Sequence, residues 1–146
     1  METAKVKTIT VEITINATVE SVWSYWTEPK HITNWYFASD DWHAPKAEND
    51  LKVNGKFKTR MAARDGSADF DFEGVYTKIL KYKTIEYVLG DERRVAISFS
   101  AVGTKTKVVE SFDPENENPY EMQKVGWQSI LDNFRKYVES KPQLQI

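Results

Sequence analysis

An α+β fold, an antiparallel sheet with one long C-terminal helix, is what this sequence predicts. Apolar and polar residues alternate through several stretches, short turn signals separate them, and one sustained helical period runs up to Lys141-Pro142. From Lys5 to Asn16, Ile9, Val11, Ile13 and Ile15 alternate with Thr8, Thr10, Glu12 and Thr14, which is a half-buried strand. The period then changes: Val19, Val22, Trp23 and Trp26 recur at helical spacing behind Thr18 as N-cap, and Thr27 with Pro29 supplies a second start. Two short helices are expected after the first strand, ending near Trp35. Residues 36–54 contain Asp40-Asp41, Pro45 and Asn49-Asp50 without sustained period, and the expectation there is an irregular loop.

Alternation returns after Asn54-Gly55, with Phe57, Thr59, Met61 and Ala63 opposite Lys56, Lys58, Arg60 and Ala62, up to a hairpin signal at Asp65-Gly66. Asp69, Asp71 and Glu73 alternate with Phe70 and Phe72, so Phe70 is expected in the core and the two aspartates in solvent. Gly74 suggests a bulge before the strand resumes through Tyr76 and Ile79. Ile85–Leu89, Arg93–Ala101 and Thr104–Phe112 supply three more strands joined by Gly90-Asp91 and Gly103, so the sheet has six to seven strands in an antiparallel meander. The final helix starts at Asn118 as N-cap, with Pro119 first and Glu121 third, and runs about 22 residues, ~33 Å. Its stripe is Trp127, Ile130, Leu131, Phe134 and Val138.

At 146 residues one domain over residues 1–146 is expected, long enough to bury a core without staples. Cysteine is absent, which removes disulfides, thiolate zinc sites, iron–sulfur clusters and cysteine nucleophiles. Twenty basic and 22 acidic residues leave a net charge of -2, without the basic excess that phosphate backbones require, so no nucleic-acid partner is expected. No apolar run approaches the ~20 residues of a spanning helix, and Met1–Lys7 has no apolar signal core. The expectation is a cytoplasmic protein with no membrane insertion.

Few residues offer chemistry. His31 and His43 stand alone without a second ligand at metal-site spacing, so no metal is expected. Ser98 and Ser100 lie within a strand rather than at a nucleophile elbow, and Gly103-Thr104-Lys105-Thr106 is a turn without the upstream glycine of a phosphate loop. No cofactor motif is present. Glu110 differs: strand parity turns Thr106, Val108, Glu110 and Phe112 towards the helix while Lys105, Lys107 and Ser111 face away. An inward carboxyl has a raised pKa and needs donors, for which Trp127 Nε1, Gln123 or a tyrosine hydroxyl are candidates. A bulge turning Glu110 outward, or a purely structural hydrogen bond, is the alternative.

The order of elements, with the stretches ATVESVWSYW (17–26), Trp35-Tyr36, DLKVNGKF (50–57), FEGVYTKI (72–79), Ile85-Glu86-Tyr87, VESFDPEN (109–116) and GWQSILDNF (126–134), resembles the START-like or SRPBCC superfamily. Within it the chain is similar to bacterial relatives of the activator of the heat-shock protein 90 ATPase. Asn54-Gly55 departs from the two glycines many relatives carry there. The resemblance implies a helix-grip fold, a curved sheet wrapped around the long helix, with a cavity between them for a small apolar or aromatic molecule. The expected lining is Glu110, Trp127, Gln123, Ile130, Phe99, Met61, Phe72, Tyr76 and Trp35. Two other functions stay open: a chaperone-interaction module, implied by the subfamily, and an enzyme acting on an apolar molecule with Glu110 as acid or base.

Overall fold

The structure, a computed structural model, describes residues 8–141; the expected strand positions Lys5–Lys7 and Pro142 lie outside them. Ten elements follow in order: β1 (Ile9–Ile15), α1 (Val19–Thr27), α2 (Pro29–Ile32), β2 (Trp42–Asn49), β3 (Lys56–Ala63), β4 (Asp69–Leu80), β5 (Thr84–Leu89), β6 (Arg94–Val102), β7 (Lys105–Phe112) and α3 (Tyr120–Glu139). All strands join one antiparallel sheet in the order β1-β7-β6-β5-β4-β3-β2. The sheet curls around α3, the helix-grip arrangement.

Register explains which side chains meet. Ile13 stands opposite Val108, and Phe99 pairs with Val108 from the other side, so the inward positions of β1, β7 and β6 form one apolar surface. Leu131, Phe134 and Val138 of α3 press onto it and are fully buried. Thr18 accepts from the Ser21 N–H and caps α1. Trp26 and Trp35 then close on Phe134 with ring centroids 4.9 and 4.5 Å away.

Four local expectations change. Residues 42–49 are an edge strand rather than loop: Pro45, which cannot donate to a ladder, falls where the β2–β3 register shifts between His43 and Lys46. Pro119, not Asn118, takes the capping position of α3, because the Asn118 backbone N–H and Nδ2 are drawn to the Glu115 carboxylate at 2.6 and 3.0 Å. Phe70 is on the inward face as parity requires, yet it sits beyond the part α3 covers and is 46% exposed. Opposite it, Asp69 and Asp71 are exposed as expected, and they share Arg60 at 2.8 and 3.1 Å.

The β4 irregularity lies between Tyr76 and Lys78, not at Gly74, which pairs regularly with Phe57 and Leu89. Gly74 has another reason to lack a side chain: a Cβ there would stand 2.7 Å from the Val88 carbonyl oxygen and 2.8 Å from the Phe57 ring. Gly74→Ala should therefore destabilise by about 1–3 kcal/mol, read as a lower urea midpoint with unchanged slope.

Candidate functional site

The C-terminal half of α3 seals against the sheet, while its N-terminal half stands away from β3 and β4. Trp127 and Ile130, on the same stripe as the fully buried Leu131 and Phe134, are only half-buried as a result. The opening is a cleft of about 440 Å³, walled by Tyr36, Met61, Phe72, Met122, Trp127 and Ile130, with Phe70 and Arg93 at its margin. Gly126 also lines it, and a Cβ added there would meet nothing within 4 Å. Trp127 is fixed from behind by stacking on Phe112 at 3.7 Å and 11°. Tyr36 is held by its flanks: Asn133 Nδ2 donates to the carbonyls of Trp35 and Phe37 at 3.0 and 3.4 Å.

Phe72 and Tyr36, 5.5 Å apart between ring centroids, also bound a smaller inner void of about 30 Å³ with Tyr76 and Tyr87. That volume suffices for a water molecule. Glu110 lies deep in the same interior. It is 3% exposed, and burial alone raises its pKa from 4.5 to about 8, so the carboxyl is protonated at neutral pH. Burial likewise pushes the Tyr36 and Tyr87 hydroxyls well up, and the charge of Glu110, when ionised, raises both further. Desolvation also raises Tyr76, whose hydroxyl donates to Asn49 Oδ1 at 2.6 Å. Asn49 in turn donates to the Thr27 carbonyl at 2.6 Å. An acid and phenols gathered in an apolar interior can donate or accept protons at one end of a bound molecule.

Residues 16–139 match the family model for Activator of Hsp90 ATPase homolog 1-like protein. The chain belongs to this family. An AHSA1-like protein from Aeromonas hydrophila, solved by NMR, is 41% identical, with 92% of this chain and 93% of that chain covered and a TM-score of 0.86. A Cytophaga hutchinsonii protein is 54% identical, with 90% and 92% covered and a TM-score of 0.79. A Chromobacterium violaceum protein at 20% identity, with 91% and 98% covered and a TM-score of 0.82, shares the fold. No curated protein matches the chain.

In this AHSA1-like chain the residues expected to line a cavity separate into four groups. Met61, Phe72, Gln123, Trp127 and Ile130 meet at the cleft, and Tyr76 lies at the inner void. Phe99 and Trp35 are in the core, Phe99 against Trp23 and Trp26 and Trp35 with its Nε1 on the Tyr25 carbonyl at 3.0 Å. Glu110 is buried and lines neither the cleft nor the inner void. Gln123 is committed elsewhere: its amide donates to the carbonyls of Glu115 and Asn118 at 3.0 and 2.8 Å, and its Oε1 accepts from the Glu115 N–H at 2.9 Å. It pins the loop before α3 instead of serving Glu110. Trp127 Nε1 makes no hydrogen bond among the described residues.

The expected lining does not include Tyr87 or Tyr36, which bound the inner void. Tyr87 shares inward parity with Ile85 and Leu89, a signal present in the sequence. Tyr36 stands in an irregular segment where no period applies. His31 Nδ1 lies 2.7 Å from the Tyr137 hydroxyl, and among the described residues no group of three His, Cys, Asp or Glu could hold a metal. No helix among them is long and apolar enough to cross a membrane.

Proposed function

We propose that this protein binds a small apolar or aromatic molecule in the cleft between α3 and the β3–β4 arm. The observation that carries the reading is a cleft of about 440 Å³ walled by aromatic, aliphatic and thioether side chains around a helical glycine whose missing side chain leaves space unfilled. That size falls within the range of small-molecule sites, and Met61 and Met122 suit a wall that adapts to its occupant. A larger hollow, about 700 Å³, lies on the outer face of the sheet among Lys56, Lys58, Glu73, Val75 and Val88, and α3 contributes nothing to its lining. On this reading the protein works in the cytoplasm as one domain, needs no cofactor, and has a binding role rather than an enzymatic one.

Gly126 provides the test. Gly126→Ala should stabilise the free protein by up to about 1 kcal/mol, since alanine favours the helix and the added Cβ has room. Gly126→Phe should stay folded but fill the cleft and remove binding of an apolar fluorescent dye. Undiminished dye binding in the Phe variant would place the ligand elsewhere.

A second reading is interaction with a chaperone of the heat-shock protein 90 type. Besides the family's name, it draws on exposed apolar side chains beside the cleft, Phe70 at 46%, Met122 at 62% and Val125 at 63%. Stimulation of such a chaperone's ATPase by the wild type, lost in a Met122→Glu, Val125→Glu variant, would favour it.

A further inference from the structure

The charged residues that line the cleft are Arg93 and Glu115, and their states differ. Both Glu115 carboxylate oxygens are taken, one by the Asn118 backbone N–H at 2.6 Å and the other by Asn118 Nδ2 at 3.0 Å. Arg93 keeps donors in hand: its Nε donates to Asp91 Oδ2 at 2.8 Å, and neither Nη donates to any described residue. Trp127 Nε1 is a further donor without a partner. Among the described residues no side-chain nitrogen sealed from water lacks one, so this N–H is open, and the space open beside the ring is the cleft. Gln123 and the Tyr36 hydroxyl are occupied, Gln123 by the loop before α3 and Tyr36 by the Tyr87 hydroxyl.

Arg93 is held in place by the turn between β5 and β6. The Leu89 N–H donates to the Arg93 carbonyl at 2.8 Å, and Asp91 accepts from the Arg93 N–H at 3.2 Å through the carboxylate oxygen that Nε does not use. Glu92 closes the turn at a φ of 73°, a left-handed conformation uncommon for a residue with a Cβ. With 23% of its side chain exposed, Arg93 lies where a charge-assisted hydrogen bond is screened less than at an open surface. The end of its fork, Nη1 and Nη2, matches the spacing of a carboxylate. The unspent charge of the cleft is therefore positive. A neutral ligand leaves that fork to water, and an ammonium brings a like charge towards it.

We propose that the cleft is a site for an apolar carboxylic acid, in which the Arg93 fork at the margin takes the carboxylate and the body lies against Phe72, Trp127 and Ile130. This rests on the cleft being a ligand site and names the class of molecule it prefers. Arg93 stays charged and the acid is already ionised at neutral pH, so binding moves no proton. Asp91 offsets part of the Arg93 charge, which keeps the preference over a neutral ligand of the same shape moderate.

Three probes with one body separate this from the cleft reading: 4-phenylbutyrate, 4-phenylbutanol and 4-phenylbutylamine, titrated calorimetrically into the full-length protein at neutral pH. The butyrate should bind about tenfold tighter than the alcohol, the worth of one charge-assisted hydrogen-bonded pair, and the amine should bind weakest. Arg93→Met keeps the length of the stem without the charge; with folding checked by thermal unfolding, it should lose the butyrate preference while keeping alcohol binding. Arg93→Lys keeps the charge without the fork and should retain part of the preference. Gly126→Phe should remove binding of butyrate and alcohol alike. Alcohol binding without butyrate preference, or a preference that survives Arg93→Met, overturns the acid site and leaves the cleft reading intact. Butyrate binding that survives Gly126→Phe puts the anion outside the cleft and overturns the acid site as well. Failure of all three probes to bind overturns both readings.

Discussion

Replacing Glu110 with leucine should stabilise the protein at neutral and alkaline pH and flatten the dependence of its stability on pH. In the folded state the carboxyl titrates at about 8, raised from 4.5. Below about pH 4.5 it is protonated whether the chain is folded or not, and its effect on stability is most favourable there. Between 4.5 and about 8 the unfolded chain has released the proton and the folded one has not, so stability falls with rising pH. Above about 8 the loss is complete. At ~1.4 kcal/mol per pKa unit the loss is on the order of 5 kcal/mol. Leucine carries no charge to desolvate and suits neighbours such as Val11 and Ile97, so a gain of about 1–4 kcal/mol at pH 9 is expected. Glu110→Gln should flatten the pH dependence too, with a smaller gain because its amide is still polar and buried. Urea midpoints of wild type and both variants at pH 5, 7 and 9 decide this, and three parallel curves would count against a buried acid.

Phe134→Ala should cost about 3–5 kcal/mol, the largest loss expected from one side chain of α3. Phe134 is fully buried where α3 meets α1 and the turn after α2, with the rings of Trp26 and Trp35 at 4.9 and 4.5 Å. Alanine would leave a cavity that two indoles held by other contacts cannot collapse to fill. Trp35 is anchored through its Nε1 to the Tyr25 carbonyl, and Trp26 also packs on Phe99 at 5.8 Å. The expected readout is a lower urea midpoint with wild-type slope. A loss under 1 kcal/mol would mean that α3 is held mainly elsewhere.

These two side chains show how differently the fold and the site are written in the chain. The period-two alternation of β1, β3, β5, β6 and β7 is visible because each strand buries one face, and parity alone puts Glu110 on the inner side with Val108 and Phe112. β2 is hidden because it is an edge strand with Pro45 at a register shift, and an edge strand need not alternate. Gly74 signals irregularity, yet its cause is a ring packed against it from the neighbouring strand, which no local pattern contains.

By itself, the sequence determined the family, the sheet, the long helix and which residues face inward, since each depends on periodicity or on short stretches read in order. Only tertiary structure decided where α3 stops touching the sheet. That divergence leaves Trp127 and Ile130 half-buried beside a cleft, puts Phe99 and Trp35 into the core, and exposes Phe70 beyond the helix's cover. It also decided that Gln123 spends its hydrogen bonds on the loop at Glu115 and that Tyr36, from a segment without period, shares the interior with Tyr87 and Glu110. The physical reason is that parity specifies a direction for each side chain, while a cavity depends on distances between elements, set by the packing of the whole core.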